Sequence, residues 1–179
     1  MLSLEAINDV VGNVPGIVRL YQVAIDERQQ EIVDSIYSHL AYEGNVGLVV
    51  HNVPWDNFGQ TLLHWAARNG EDSIVELLRN GPEVQVNEGD NIGGSTPLHL
   101  AAEFGHLRVI QLLLLCPWLE VNAVDKSGRT PLLRALDQGH SAAFELLLED
   151  GRTEINAADD RGTALHRVAA RGDIRLFKN

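Results

Sequence analysis

From residue 61 onward, apolar positions fall into alternating stripes separated by glycine turns. The later stripe of each set runs Ile74, Val75, Leu77 and Leu78, then Val109, Ile110, Leu112 and Leu113, then Ala143, Phe144, Leu146 and Leu147. Steps of three and four residues put such side chains on one side of a helix. The earlier stripe lies in four related strings: TLLHWAARNG at 61–70, TPLHLAAEFG at 96–105, TPLLRALDQG at 130–139 and TALHRVAARG at 163–172. Their threonines are 35, 34 and 33 residues apart, and Gly70, Gly105, Gly139 and Gly172 each stand nine residues after a threonine. Self-similarity at this period is the mark of a stacked-repeat architecture.

Each unit therefore predicts a short helix, a glycine turn, a longer helix and a polar connector. Threonine can cap the first helix through its hydroxyl, and proline at the next position loses only an N–H that the first turn leaves unpaired anyway. The pairs Ala66/Ala67 and Ala101/Ala102 let neighbouring helices approach closely. The connectors carry the pairs Asn87 with Asp90, Asn122 with Asp125 and Asn156 with Asp159, preceded by Val86, Val121 and Ile155. A two-helix unit of this size cannot bury its apolar face alone, so the copies must stack.

These strings resemble ankyrin repeats. The family pattern of Asp, Gly, Thr-Pro-Leu-His, Ala-Ala and Gly is met by Asp56, Gly59, Thr61, Leu63, His64, Ala66, Ala67 and Gly70. It is met again by Asp125, Gly128, Thr130, Pro131, Leu132, Ala135 and Gly139, with Leu133 in place of the histidine. The resemblance covers roughly residues 52–179 and implies an all-α solenoid of stacked helix-turn-helix units with projecting hairpin connectors. Two connectors depart from the pattern: 90–96 is one residue longer and 159–163 one shorter, so their hairpins are not expected to project identically. The last copy offers only Ile174, Leu176 and Phe177 for its second helix, which reads as a truncated repeat and suggests a longer parent protein.

The chain divides into an irregular helical region, 1–54, and the repeats, 55–179. Leu20, Val23, Ala24 and Ile25 followed by Ile32, Val33 and Ile36 have helix-pair spacing, with polar residues 26–30 between them. They form either a degenerate capping repeat or a helical element of another kind. Leu2, Leu4, Ile7, Val10 and Val11 suit a leading helix before the turn at 13–16.

Charge narrows the choice of partner. Twenty-five acids against 14 bases give a formal net charge of -11, which repels phosphate backbones and anionic lipid and argues against nucleic acid or membrane partners. The excess is spread: residues 1–54 carry seven acids and two bases. Cys116 is the only cysteine, so the chain has no intramolecular disulfide and no thiolate cluster for zinc. No signal peptide is legible at the start, and no apolar run approaches membrane-spanning length.

The catalytic constellations tested against the sequence are weak. His64, His99 and His166 recur in one slot, and the resemblance implies that this side chain ties neighbouring connectors together. His106 and His140 follow the turn glycines in the same way. Cys116, before Pro117 at the end of an apolar helix, reads as an inert thiol because nothing near it in sequence lowers its pKa. The string Gly93-Gly94-Ser95-Thr96 lacks the lysine and preceding strand of a phosphate loop. No cofactor or metal is called for.

Function is expected on the surface that the resemblance implies is concave, at hairpin tips and at exposed positions just before each first-helix glycine. Carried over by position, these are Trp55, Asn57, Phe58, Gln60, Arg68 and Asn69, then Asn91, Ile92, Ser95, Glu103 and Phe104, then Lys126, Ser127, Arg129, Asp137 and Gln138. Arg161, Ala170 and Arg171 continue the strip. Phe58, Ile92 and Phe104 are apolar in places where solvent-facing residues are expected, the composition of an anchor cluster rimmed by polar groups. The alternative is that they fold back onto neighbouring hairpins and helices. The resemblance further implies that Asn87, Asn122 and Asn156 are possible hydroxylation sites, although asparagine there ordinarily shapes the turn. The expectation is a monomeric scaffold or recruitment module that binds another protein, in the cytoplasm or nucleus. The alternative is the recognition segment of a larger enzyme or microbial effector, acting in host cytosol, and a third reading is a plain architectural spacer.

Overall fold

The computed structural model describes residues 58–79 and 84–172. The amino-terminal region 1–54, with its capping-repeat reading, and the last unit's Ile174, Leu176 and Phe177 lie outside the described residues. Among the described residues, seven helices follow in order: α1 (Leu62–Asn69), α2 (Asp72–Arg79), α3 (Pro97–Phe104), α4 (Leu107–Leu114), α5 (Pro131–Gln138), α6 (Ser141–Glu149) and α7 (Ala164–Arg171). A two-stranded antiparallel ladder, β1 (Ala158–Asp159) with β2 (Gly162–Thr163), precedes α7. First helices pack on first helices, α1 on α3 and α3 on α5, while second helices pack on second helices, α2 on α4 and α4 on α6. The result is two helical layers with the connectors along one edge of the first.

The core lies between the layers. Leu63, Leu98 and Leu132 from the first helices and Val75, Val109 and Phe144 from the second are buried, together with the alanines that let adjacent first helices close up. The helix starts follow from the cap residues: the hydroxyls of Thr96, Thr130 and Thr163 accept from the backbone N–H three residues on. Gly70 and Gly105 end their helices in the left-handed region, with φ of 74° and 72°. A Cβ at either place would also meet the ring of His106 or His140 from the following unit at 2.7 Å. Glycine is required twice over there, for backbone angle and for close approach.

Second helices are not longer than first helices except α6, which has one residue more. In α4 the helix stops before the Cys116-Pro117 pair, since the residue preceding proline is pushed out of the helical region. Its open carbonyls are met from the next unit, where Arg152 donates to Leu114 O at 2.8 Å and Cys116 O at 3.1 Å. Cys116 is buried with Sγ 3.9 Å from Arg79 O, and burial pushes its thiol pKa up, which fits the inert reading.

The connectors differ in length as the sequence suggested. Asp90 N bonds Ser95 O around a four-residue tip, Asp125 N bonds Arg129 O around three residues, and Asp159 pairs with Gly162 around two. Successive tips are joined by backbone bonds, Asn91 N to Phe58 O and Lys126 N to Gly93 O, both 2.8 Å. The acceptor moves one place along in the longer connector, so the extra residue is absorbed without breaking the chain of tips.

Candidate protein-binding face

The connector edge is held by three kinds of side chain. The first is the histidine of the first helix. Backbone N–H of Thr61 donates to His64 Nδ1 at 3.1 Å, which leaves the ring proton on Nε2, 3.0 Å from Ser95 O in the next connector. His99 repeats this with Thr96 N at 3.2 Å and Arg129 O at 2.9 Å. Burial lowers the pKa of His64 and takes His99 down to about 4, so both rings are neutral at ordinary pH. In the first two units the shared histidine slot is thus a strut between connectors.

The second kind is asparagine. Asn87 accepts from Glu120 N at 2.8 Å and donates to Trp118 O at 2.9 Å; Asn122 accepts from Glu154 N at 2.8 Å and donates to Arg152 O at 2.7 Å. Both amides therefore bridge to the following unit and not only to their own turn, while the Asn156 residue is exposed. An open cavity of about 740 Å³ lies between the Asn87 and Asn122 connectors, lined by Asn87, Leu119, Asn122, Val124 and Arg152 among others.

The third kind went unread in the sequence. Arg134 and Arg167 stand four residues after their threonines, where the first two units have Trp65 and Leu100, and both arginines are buried. Arg134 reaches Asp125 of its own connector, with Nε at 2.8 Å, and also Glu103 and Ser95 of the unit before, the latter at 3.0 Å. Arg167 likewise reaches Asp159 of its own connector and Asp137 on α5, the first helix of the preceding unit, the latter at 2.8 Å. Burial pushes the Asp125 carboxyl pKa up, but hydrogen bonds from Arg129 N, Arg134 and Ser127 N outweigh it and leave the pKa below the usual value. Asp90 is lowered in the same balance by Gly93 N, Gln60 and Ser95 N. The signal was present in the sequence: a charged residue in a slot otherwise apolar, with an acid about one period earlier.

These contacts sort the expected binding residues. Gln60 and Ser95 are buried, the first donating to Asp90 at 3.2 Å, so the structure corrects their placement as surface positions: the connector uses them internally. Glu103, Arg129 and Asp137 are half-buried and engaged with Arg134, Asp125 and Arg167. Phe58, Arg68, Asn69, Asn91, Ile92, Phe104, Lys126, Ser127, Gln138, Arg161 and Ala170 are exposed. Trp55, Asn57 and the side chain of Arg171 lie outside the described residues. Ile92 is 61% exposed, and Phe104, at 41%, does not bury itself on a neighbour; the Arg68 guanidinium sits 5.4 Å from its ring centroid, and His106 stacks beside it at 6.3 Å.

Among the described residues no group of three metal-ligating side chains comes together, and no helix is long and apolar enough to cross a membrane. The family model for ankyrin repeats in sets of three copies matches residues 20–117 and 83–159, which is more than half of the chain. The chain belongs to the ankyrin-repeat family. Members are typically non-catalytic scaffolds acting through protein–protein interaction. No curated protein matches the chain.

Proposed function

We propose that this chain is a recruitment module that holds another protein against the face formed by its first helices and hairpin tips. The observation that carries the reading is Phe104, a large aromatic left open to solvent on a first helix and flanked by Arg68. Apolar anchors with a polar rim are where binding free energy concentrates, and exposed Ile92 and Phe58 on successive hairpin tips extend the patch. The helices behind them are fixed by histidine, asparagine and arginine bridges, so the face is pre-organised and little ordering cost falls on binding. No catalytic step is required of this segment. The family match starting at residue 20 supports reading the amino-terminal region as containing a divergent repeat that caps the stack.

The test is capture from lysate by the immobilised chain beside a folded Phe104→Ala, Ile92→Ala variant, quantified by mass spectrometry. A protein held by the parent and lost by the variant is the expected result. Equal retention by both would remove the aromatic face from the proposal, and no specific retention would favour the spacer reading.

A further inference from the structure

Charge on the candidate face is arranged differently from charge on the rest of the molecule. The carboxylates that belong to it point inward: Asp90, Asp125 and Asp159 sit within their connectors, and Glu103 and Asp137 are turned onto Arg134 and Arg167. Asp160 on the last tip is the exposed acid among the described connector tips. Two cations stay outward beside Ile92 and Phe104, two of the three exposed apolar residues of the face. Arg68 lies over the Phe104 ring, and Lys126 Nζ donates to the neutral carbonyl of Asn91, next to Ile92. Of the second helices, α2 and α6 carry the opposite sign, with Asp72, Glu76, Glu145 and Glu149 exposed, while α4 exposes Arg108.

Each anchor thus comes with its own cation. Phe104 closes the carboxy-terminal end of α3, while Ile92 belongs to the connector that leads into its amino-terminal end. Eight helical residues separate these ends by roughly 12 Å. We infer that the partner segment is an acidic peptide with two spaced apolar side chains, each accompanied by a carboxylate: one pair for Phe104 and Arg68, the other for Ile92 and Lys126. An extended chain spans the length of α3 in about four residues. Carboxylates beside the anchors would complement Arg68 and Lys126, whereas on α2 and α6 they would meet like charge. This inference rests on the protein-binding reading above and adds the chemistry of the bound segment.

The probes are three synthetic twelve-residue peptides with the same two phenylalanines four residues apart, flanked by glutamate, glutamine or lysine. Binding is read by fluorescence anisotropy against the whole chain and against two variants whose unchanged circular dichroism and urea midpoint show them folded. The glutamate peptide is expected to bind at least about tenfold more tightly than the glutamine one, a difference of about 1.4 kcal/mol. Arg68→Gln with Lys126→Gln should erase that difference, and Phe104→Ala with Ile92→Ala should weaken both peptides. If the glutamine or lysine peptide binds as tightly as the glutamate one and depends on Phe104 and Ile92, the acidic assignment is overturned while the face stands. If none of the peptides binds at millimolar concentration, the peptide chemistry is overturned, and the capture comparison decides separately whether the face holds a protein.

Discussion

The junction between the first and second units and the junction between the third and fourth use the same helical frame but are closed by different chemistry. At the first, a neutral ring donates to a carbonyl, His64 Nε2 to Ser95 O, and the slot four residues after the second unit's threonine is filled by Leu100. At the last, Leu133 takes the histidine's place and is fully buried, and the link is ionic, with Asp137 held by Arg161 and Arg167. The middle junction has both, His99 on Arg129 O and Arg134 on Glu103. The histidine slot can therefore hold a hydrogen-bonded ring or a buried leucine, and where the ring is missing an ion pair from the following slot of the next unit links the two units. Neutral struts need little desolvation. Buried ions need every partner in place.

The largest effect should come from breaking the ionic scheme where it is most buried. Asp125→Ala leaves Arg134 with Glu103 and Ser95 alone and removes the acceptor of two connector N–H groups, so a loss of about 3–5 kcal/mol is expected in urea unfolding. Asp90→Ala, whose side-chain partner is the neutral Gln60, should cost clearly less. Equal losses would mean that the connector turns, and not the arginine, set the value of these aspartates.

Acid should separate the two schemes next. A histidine whose folded pKa is depressed contributes stability that is present above its unfolded value and is lost as pH falls toward the folded one. For His99 that window runs from 6.5 to about 4 and corresponds to about 3 kcal/mol, with His64 acting in the same direction. The carboxylates Asp125 and Asp159, also depressed, keep their contribution until the pH falls below their usual range near 3.8. Unfolding free energy measured from pH 7 to 4 should therefore fall, and His99→Leu, which copies the third unit, should flatten much of that slope. Hydrogen exchange over the same range should open α1 and α3 before α7.

A smaller loss is expected from Asp137→Asn, which weakens the last junction but leaves Arg167 its pair with Asp159. A cost of about 1–3 kcal/mol, with faster amide exchange in α7 than in α3, is the expected outcome. The smallest change should follow Leu133→His, which installs the neutral strut at the ionic junction. Thr130 N and Oγ1 stand where the other units hold a ring, so stability should move by less than about 1 kcal/mol. A side-chain nitrogen spectrum showing the proton on Nε2 would show that the strut had formed.

Much of this frame was legible in the residues. Threonine, the alanine pairs and the turn glycines recur at fixed offsets because backbone requirements recur, and a helix start or a left-handed turn is a local demand that few residue types meet. The histidine slot could be read for the same reason. Unequal connectors were visible as unequal spacing between Asp90 and Thr96 and between Asp159 and Thr163. Gln60 and Ser95 were misplaced because position along a connector does not say whether a side chain turns outward or back onto its own aspartate. Arg134 and Arg167 went unread because a lone arginine in a helix is ordinarily solvated, and only its neighbours make it a bridge.

Sequence by itself determined that the chain is a stack of helix pairs, where each first helix begins and ends, and which apolar stripes face the core, since these follow from periodicity and from backbone angles that single residue types satisfy. Tertiary structure decided which polar groups meet across units about thirty positions apart, which acids are turned inward, and that Ile92 and Phe104 remain outside. Those outcomes depend on the distance between one unit and the next and on competition among several partners for each buried charge, and no local stretch of sequence contains either.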